Sequence, residues 1–260
     1  HGLDKPLPVQ YVNWLSAFVV GDWGKSFQNN LPVTKMIQRK LPFTIQLAIG
    51  SLVIGVVFGI ATGVVAALKR NTKWDIFATS SAMVALAIPE FWLALVLILI
   101  FAVQFELVPV FGSPLIWHDP AGAIQSMILP WLALGIGGAA TLMRQSRSSM
   151  LETMGEDFIR TARSKGVSER VVIFNHALRN SLLPVVTILG LRIGRIIGGA
   201  VIIETMFSIP GIGQLSVVAL TRADYPVIMA ITMISSVAII VANLVTDLAY
   251  SYIDPRIKYA

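Results

Sequence analysis

Arg192 and Arg195 lie inside an apolar run from Leu182 to Ile203. Three residues apart on a helix, they share one face. A third ionisable group, Glu90, follows Pro89 directly in another apolar run, Ile76 to Phe105. If these runs lie in a bilayer, the charges are costly there and turn towards a cavity or a partner. Two readings stand side by side. In one, the arginines face a pore and favour a carboxylate-bearing solute; in the other, they pair with Glu90, with Asp247 or with another subunit. Backbone groups freed at Pro89 could also line a path.

Other chemistries fail on spacing. Gly24-Lys25-Ser26 resembles the end of a phosphate-binding loop, but Val19 stands where the first glycine of that pattern belongs. His1, His118 and His176 are scattered, with no metal-ligand spacing. The chain has no cysteine, which excludes disulfides, thiolate metal sites and cysteine nucleophiles. No catalytic residue and no metal site is expected, and an enzyme embedded in the membrane lacks its nucleophile–base pair.

The elements that position these charges follow from composition. Hydrophobic residues make up 55% of the 260 and charged residues 13%. That is too little charge to cover a soluble surface, so an all-α, polytopic membrane protein is expected. The net charge of +6 then reflects basic loops on one side of the membrane. Nucleic acid is not expected as a partner, because no soluble basic module with interleaved aromatics is present. Five runs are long enough to span: Pro42–Leu68, Ile76–Phe105, Ala121–Met143, Leu182–Ile203 and Val227–Thr246. The second is long for one span and is expected to be a single tilted helix kinked at Pro89. Gly50, Gly55, Gly59 and Gly63, four or five residues apart, suit close packing of the first span on a neighbour.

Lys69, Arg70 and Lys73 close the first span, and seven basic residues fill the segment after the third. The positive-inside bias puts both in the cytoplasm and residues 1–41 outside, despite Lys35, Arg39 and Lys40. An outside start calls for an earlier membrane helix, so residues 1–41 are expected to follow one. The segment between the third and fourth spans is patterned. Glu156 to Lys165 reads as a short helix with Gly166 as its C-cap, and Ser168 can cap a second helix from Glu169. Together they form a compact knob with Val171, Val172, Phe174 and Leu178 within reach of an apolar partner.

The wording of this segment, "EDFIRTARSKGVSERVVIFNHALRNSLLPVVT", resembles the cytoplasmic loop of permease subunits of bacterial ABC importers, in the dipeptide, oligopeptide and nickel group. "GLDKPLPVQY", "GDWGKS", "IPEFW", "ETMFSIPGIG", "DYPVIMA" and "NLVTDLAYSYIDPRI" extend the resemblance over the whole chain. Where the commoner importer loop has Glu-Ala-Ala, this chain has Arg160, Thr161 and Ala162. The spacing from Gly166 to Leu183-Pro184 is also longer, and both departures fit the peptide group.

The resemblance implies an ABC importer permease fold, with residues 42–260 as the transmembrane domain and 144–183 as its cytoplasmic coupling loop. In that loop it assigns ATPase coupling to Asp157, Arg160, Thr161, Ala162, Arg163, Lys165, Gly166, His176, Arg179 and Asn180. It further implies half of a pore completed by a second, homologous permease, and an external substrate-binding protein. Two ATP-binding subunits would hold the ATP and Mg, leaving this chain without a cofactor. Its setting would be the bacterial inner membrane. Peptides, glutathione and nickel all share this permease type. Pro89, Glu90, Arg192, Arg195 and Glu204 are the candidates for the translocation path or its gate, although uncharged residues are more usual in this group where the two arginines stand. A proton-coupled carrier or channel, working without an ATPase, is the alternative.

Overall fold

A computed structural model describes residues 5–109, 112–190 and 200–253, with backbone alone at 247 and 249–253. Arg192 and Arg195 lie outside the described residues, as does the side chain of Asp247. Among the described residues, the only extended pairing is an isolated bridge between Lys25 and Pro32; everything else regular is helical.

The helices are α1 (Leu7–Val19), α2 (Val33–Leu68), α3 (Lys73–Ala87), α4 (Glu90–Leu97, continued as π-helical turns over Ile98–Gln104) and α5 (Pro120–Met154). They continue as α6 (Asp157–Ser164), α7 (Glu169–Ser181), α8 (Leu183–Gly190), α9 (Val201–Met206), α10 (Ile212–Thr221) and α11 (Tyr225–Ile253). Three of these, α2, α5 and α11, are long and apolar enough to cross a membrane; two bent pairs, α3 with α4 and α7 with α8, bring the number to as many as five.

α2 and α5 form the axis of the molecule. At 1.5 Å per residue, the 36 residues of α2 reach about 54 Å, and Pro42 sits inside the helix without ending it. The helix therefore starts nine residues before the expected span, at Val33. α5 begins at a sharp local signal: Asp119 is the N-cap, its side chain accepting a hydrogen bond from Gly122 N, with Pro120 in the first turn. It also runs eleven residues beyond Met143, so residues 144–154, expected to belong to the cytoplasmic loop, are helix.

The four glycines of α2 all face α5. A methyl group on Gly50 would enter the Trp131 ring, while the backbone of Gly55 passes beside Gly135, Gly138 and Ala139. A Cβ at Gly59 would lie 2.7 Å from Ala139 O, and one at Gly63 would lie 2.7 Å from Met143 O. With lipid equally apolar on the outer side, such close backbone approach is what holds two membrane helices together. Gly59→Val is therefore expected to force α2 from α5 and lower stability by about 1–3 kcal/mol. Thermal unfolding of the detergent-solubilised chain measures this, and an unchanged midpoint would refute the packing.

The expected single kinked helix over Ile76–Phe105 is not what forms. The chain leaves α3 at Ile88, extended at φ −81° and ψ 122°. It passes through Pro89 at φ −62° and ψ 136° and turns by 100° into α4. Proline pushes its predecessor out of the helical region, and here two consecutive residues leave it. A kink keeps one axis; this is a break. Ala94 and Leu97 of α4 are then free to pack with Met127, Leu134, Ile203 and Phe207 in the largest buried cluster.

Candidate functional site: the knob and the braces around it

The knob is built from local signals. α6 ends in a Schellman arrangement: Gly166 N donates to Arg163 O at 3.0 Å and Val167 N to Ala162 O at 3.2 Å. Gly166 adopts φ +76°, the left-handed region that disfavours a side chain. Ala162 and Val167 pack on one small core with Ala67, Met150, Ile159, Val172 and Ala177, which seats both helices on the ends of α2 and α5. α7 starts at Glu169 with Ser168 as N-cap residue, but the serine side chain makes no capping bond. Its middle, Val172–Leu178, widens into π-helical turns.

A two-pronged ion pair closes the corner: Arg163 Nη2 donates to Glu169 Oε1 at 2.7 Å and Nε to Oε2 at 3.1 Å. The hydrogen bonds from Arg163 draw the Glu169 carboxyl below its ordinary range. A depressed carboxyl contributes above its unfolded value and loses that contribution as pH falls through the folded one. Both partners are solvated, so the brace is weak and fails in acid.

Of the expected coupling residues, Arg163 is thus turned back onto α7. Arg160 meets Asp157 only at 3.4 Å on an open surface. Asn180 Nδ2 donates to the His176 carbonyl at 2.7 Å. Thr161 Oγ1 donates to Asp157 O at 2.9 Å, and Lys165 and Arg179 are exposed. Phe158 and Phe174, by contrast, are 42% and 53% exposed beside this charged surface. Gly166→Val is expected to cost on the order of 1–2 kcal/mol. The readout is protease sensitivity at Lys165, and resistance equal to the parent would contradict the turn.

Two carboxylates brace the bundle near its ends. Asp75, in the first turn of α3, receives Arg147 Nε at 2.6 Å and Nη2 at 2.8 Å. Asn71 N donates to it at 3.0 Å from the α2–α3 turn. At the opposite end Glu204 is fully buried. Thr44 Oγ1 donates to its Oε1 at 2.6 Å and Gln214 N to its Oε2 at 2.9 Å. Gly211 passes so close that any Cβ there would overlap the carboxyl. Glu204, a candidate for the gate, holds α2, α9 and the start of α10 together.

Sequence reasoning missed Asp75, whose partner is 72 residues away, and Asp224. The latter accepts Ser26 Oγ in a short hydrogen bond and Phe27 N at 3.0 Å. The segment that mimicked a phosphate loop is thereby clipped to the start of α11. Pro89 caps α4, and the Glu90 carboxylate lies near Gly137 of α5.

A bundle of membrane-length helices carrying a folded knob at its basic end defines a polytopic helical membrane protein. The matching family description, binding-protein-dependent transport system inner membrane component, spans residues 55–259. The chain belongs to this family, whose members are permease subunits of the inner membrane. It is 41% identical over 262 residues to the oligopeptide transport system permease protein AppB of Bacillus subtilis (strain 168), covering 100% of this chain and 83% of that one. It is 38% identical over 281 residues to the dipeptide transport system permease protein DppB of Escherichia coli (strain K12), covering 99% and 83%. A chain from the crystal structure of an amino acid ABC transporter with histidines shares the fold, with TM-score 0.64 and 16% identity over 84% of this chain and 94% of that one.

Proposed function

We propose that the chain forms half of the translocation pore of an ATP-driven peptide importer, completed by a second, homologous permease. In this reading two ATP-binding subunits, carrying ATP and Mg, dock on the Asp157–Asn180 knob, and an external binding protein delivers substrate to residues 1–41 and the outer loops. Residues 42–260 are the transmembrane domain. Closure of the ATPases pushes the knob, and rigid-body motion of α5 and α8 opens the path in alternation. Arg192 and Arg195 offer cations to the substrate carboxylate, and Glu90 at the Pro89 break lies along the path.

The observation that carries the reading is the construction of the knob. It is seated on α2 and α5 through Ile159, Val172 and Ala177, so a push on its surface is transmitted to the bundle. It also leaves Phe158 and Phe174 about half exposed, and aromatic residues are enriched at the cores of interfaces. The test is Phe174→Glu in the complete transporter in proteoliposomes. Uptake should fall by roughly tenfold or more while the ATPase subunits still hydrolyse ATP. Full uptake by the variant, or uptake by this chain with no ATPase present, would overturn the proposal. Exchanging Arg192 and Arg195 for Gln should shift selectivity from acidic towards neutral peptides; unchanged selectivity removes them from the path.

A further inference from the structure

A groove of about 590 Å³ runs between α2, α3 and α5. Its walls are apolar, from Ile54 and Phe58 through Ala78 and Ala82 to Ala139 and Met143. A peptide's charged ends would find no partner there, so the groove is no part of a path for peptides. It runs along α2 from Val65 to Ile54, roughly 16 Å at 1.5 Å per residue. That is the depth of one leaflet of a core about 30 Å thick. A second apolar groove of about 390 Å³ shares Phe77, Ser81, Ala85 and Ile136 with the first and continues to the Pro89 break.

The mouth differs from the walls. Trp74, 63% exposed, stands at the end nearest the α2–α3 turn. The Lys69 ammonium lies 5.6 Å from its ring centroid. Arg70 and Lys73 lie near it in sequence and are exposed. Asp75, the nearest acid in sequence, is turned inward onto Arg147. Among the described residues no carboxylate is paired with Lys69, Arg70 or Lys73. An interfacial tryptophan beside one cation and within four residues of two more, at the opening of a leaflet-deep apolar groove, matches the headgroup and tail of one kind of molecule.

We infer that this groove is a binding site for an anionic phospholipid, with one acyl chain between α2, α3 and α5 and the phosphate held by Lys69, Arg70 and Lys73. The second chain follows the adjoining groove beside Phe77. A bound lipid there fills the space that the broken α3–α4 pair leaves against α5.

The test uses the complete transporter, exchanged into vesicles of equal phosphatidylglycerol and phosphatidylcholine, re-extracted, and analysed for retained lipid by native mass spectrometry. Phosphatidylglycerol should be retained over phosphatidylcholine. K69Q/R70Q/K73Q should lower its retention at least fivefold, while Ala78→Phe, which fills the groove, should abolish it. If Ala78→Phe fails to assemble, the exposed triple variant decides alone. Equal retention of the two lipids, unchanged retention in the triple variant, or cross-linking of Ala78→Cys to a polypeptide segment in place of lipid would each overturn the site.

Discussion

Replacing Glu204 with alanine is expected to destabilise the chain by roughly 3 kcal/mol. The carboxylate accepts from the Thr44 hydroxyl and from Gln214 N at the start of α10. A helix start presents unpaired N–H groups, and a buried carboxyl oxygen accepts from one of them here. Alanine leaves those donors without water or partner and opens a void where the side chain was. Thr44 keeps one bond, since it still accepts from Ile212 N at 2.8 Å. Glu204→Gln keeps the shape but can turn an amide N–H towards Gln214 N–H, so it should recover part of the loss. Gly211→Ala places a methyl on the carboxyl itself and should destabilise comparably. Because both changes break one contact, the double variant should lose less than the sum. Additive losses, measured by thermal unfolding in detergent, would show that the loop and the carboxylate are independent.

Asp75→Ala should cost about 3 kcal/mol, the lower part of the range for breaking a buried pair. The arginine side chain is 26% exposed and can partly rehydrate, whereas the aspartate is 5% exposed. Joining the variant with Arg147→Met should restore much of the loss, because the uncompensated charge is then gone. Exchanging the two residues should not restore it. Asn71 N points at the acid's position and would face a guanidinium. A double variant no better than Asp75→Ala would mean that the aspartate acts by capping the α2–α3 turn alone.

What could be read from the sequence is what depends on near neighbours. Gly166 was legible because a left-handed residue after a short helix is a local demand. The spacing of Gly50, Gly55, Gly59 and Gly63 announced a packing face for the same reason, though not that α5 would meet it. The outcome at Pro89 was not legible. Whether a proline bends a helix or breaks it depends on what the next segment can bury, and Ala94 and Leu97 find their cluster only after a 100° turn. Asp75 and Asp224 carried no local signal, since their partners are 72 and 198 residues distant. Glu204 was singled out for its motif, and only the fold shows it enclosed.

The bond between Ser26 and Asp224 also sets an order of manufacture. The two residues are 198 apart, about 10–40 s of synthesis at 5–20 residues per second. During that interval the early loop has only its local bonds, such as the Lys25–Pro32 bridge, and Gln28 likewise waits for the Arg222 carbonyl. The surface around residues 24–33 is therefore completed only when Arg222 and Asp224 emerge. A chain truncated before Arg222 would leave that surface open, and a protease could tell an unfinished molecule from a finished one.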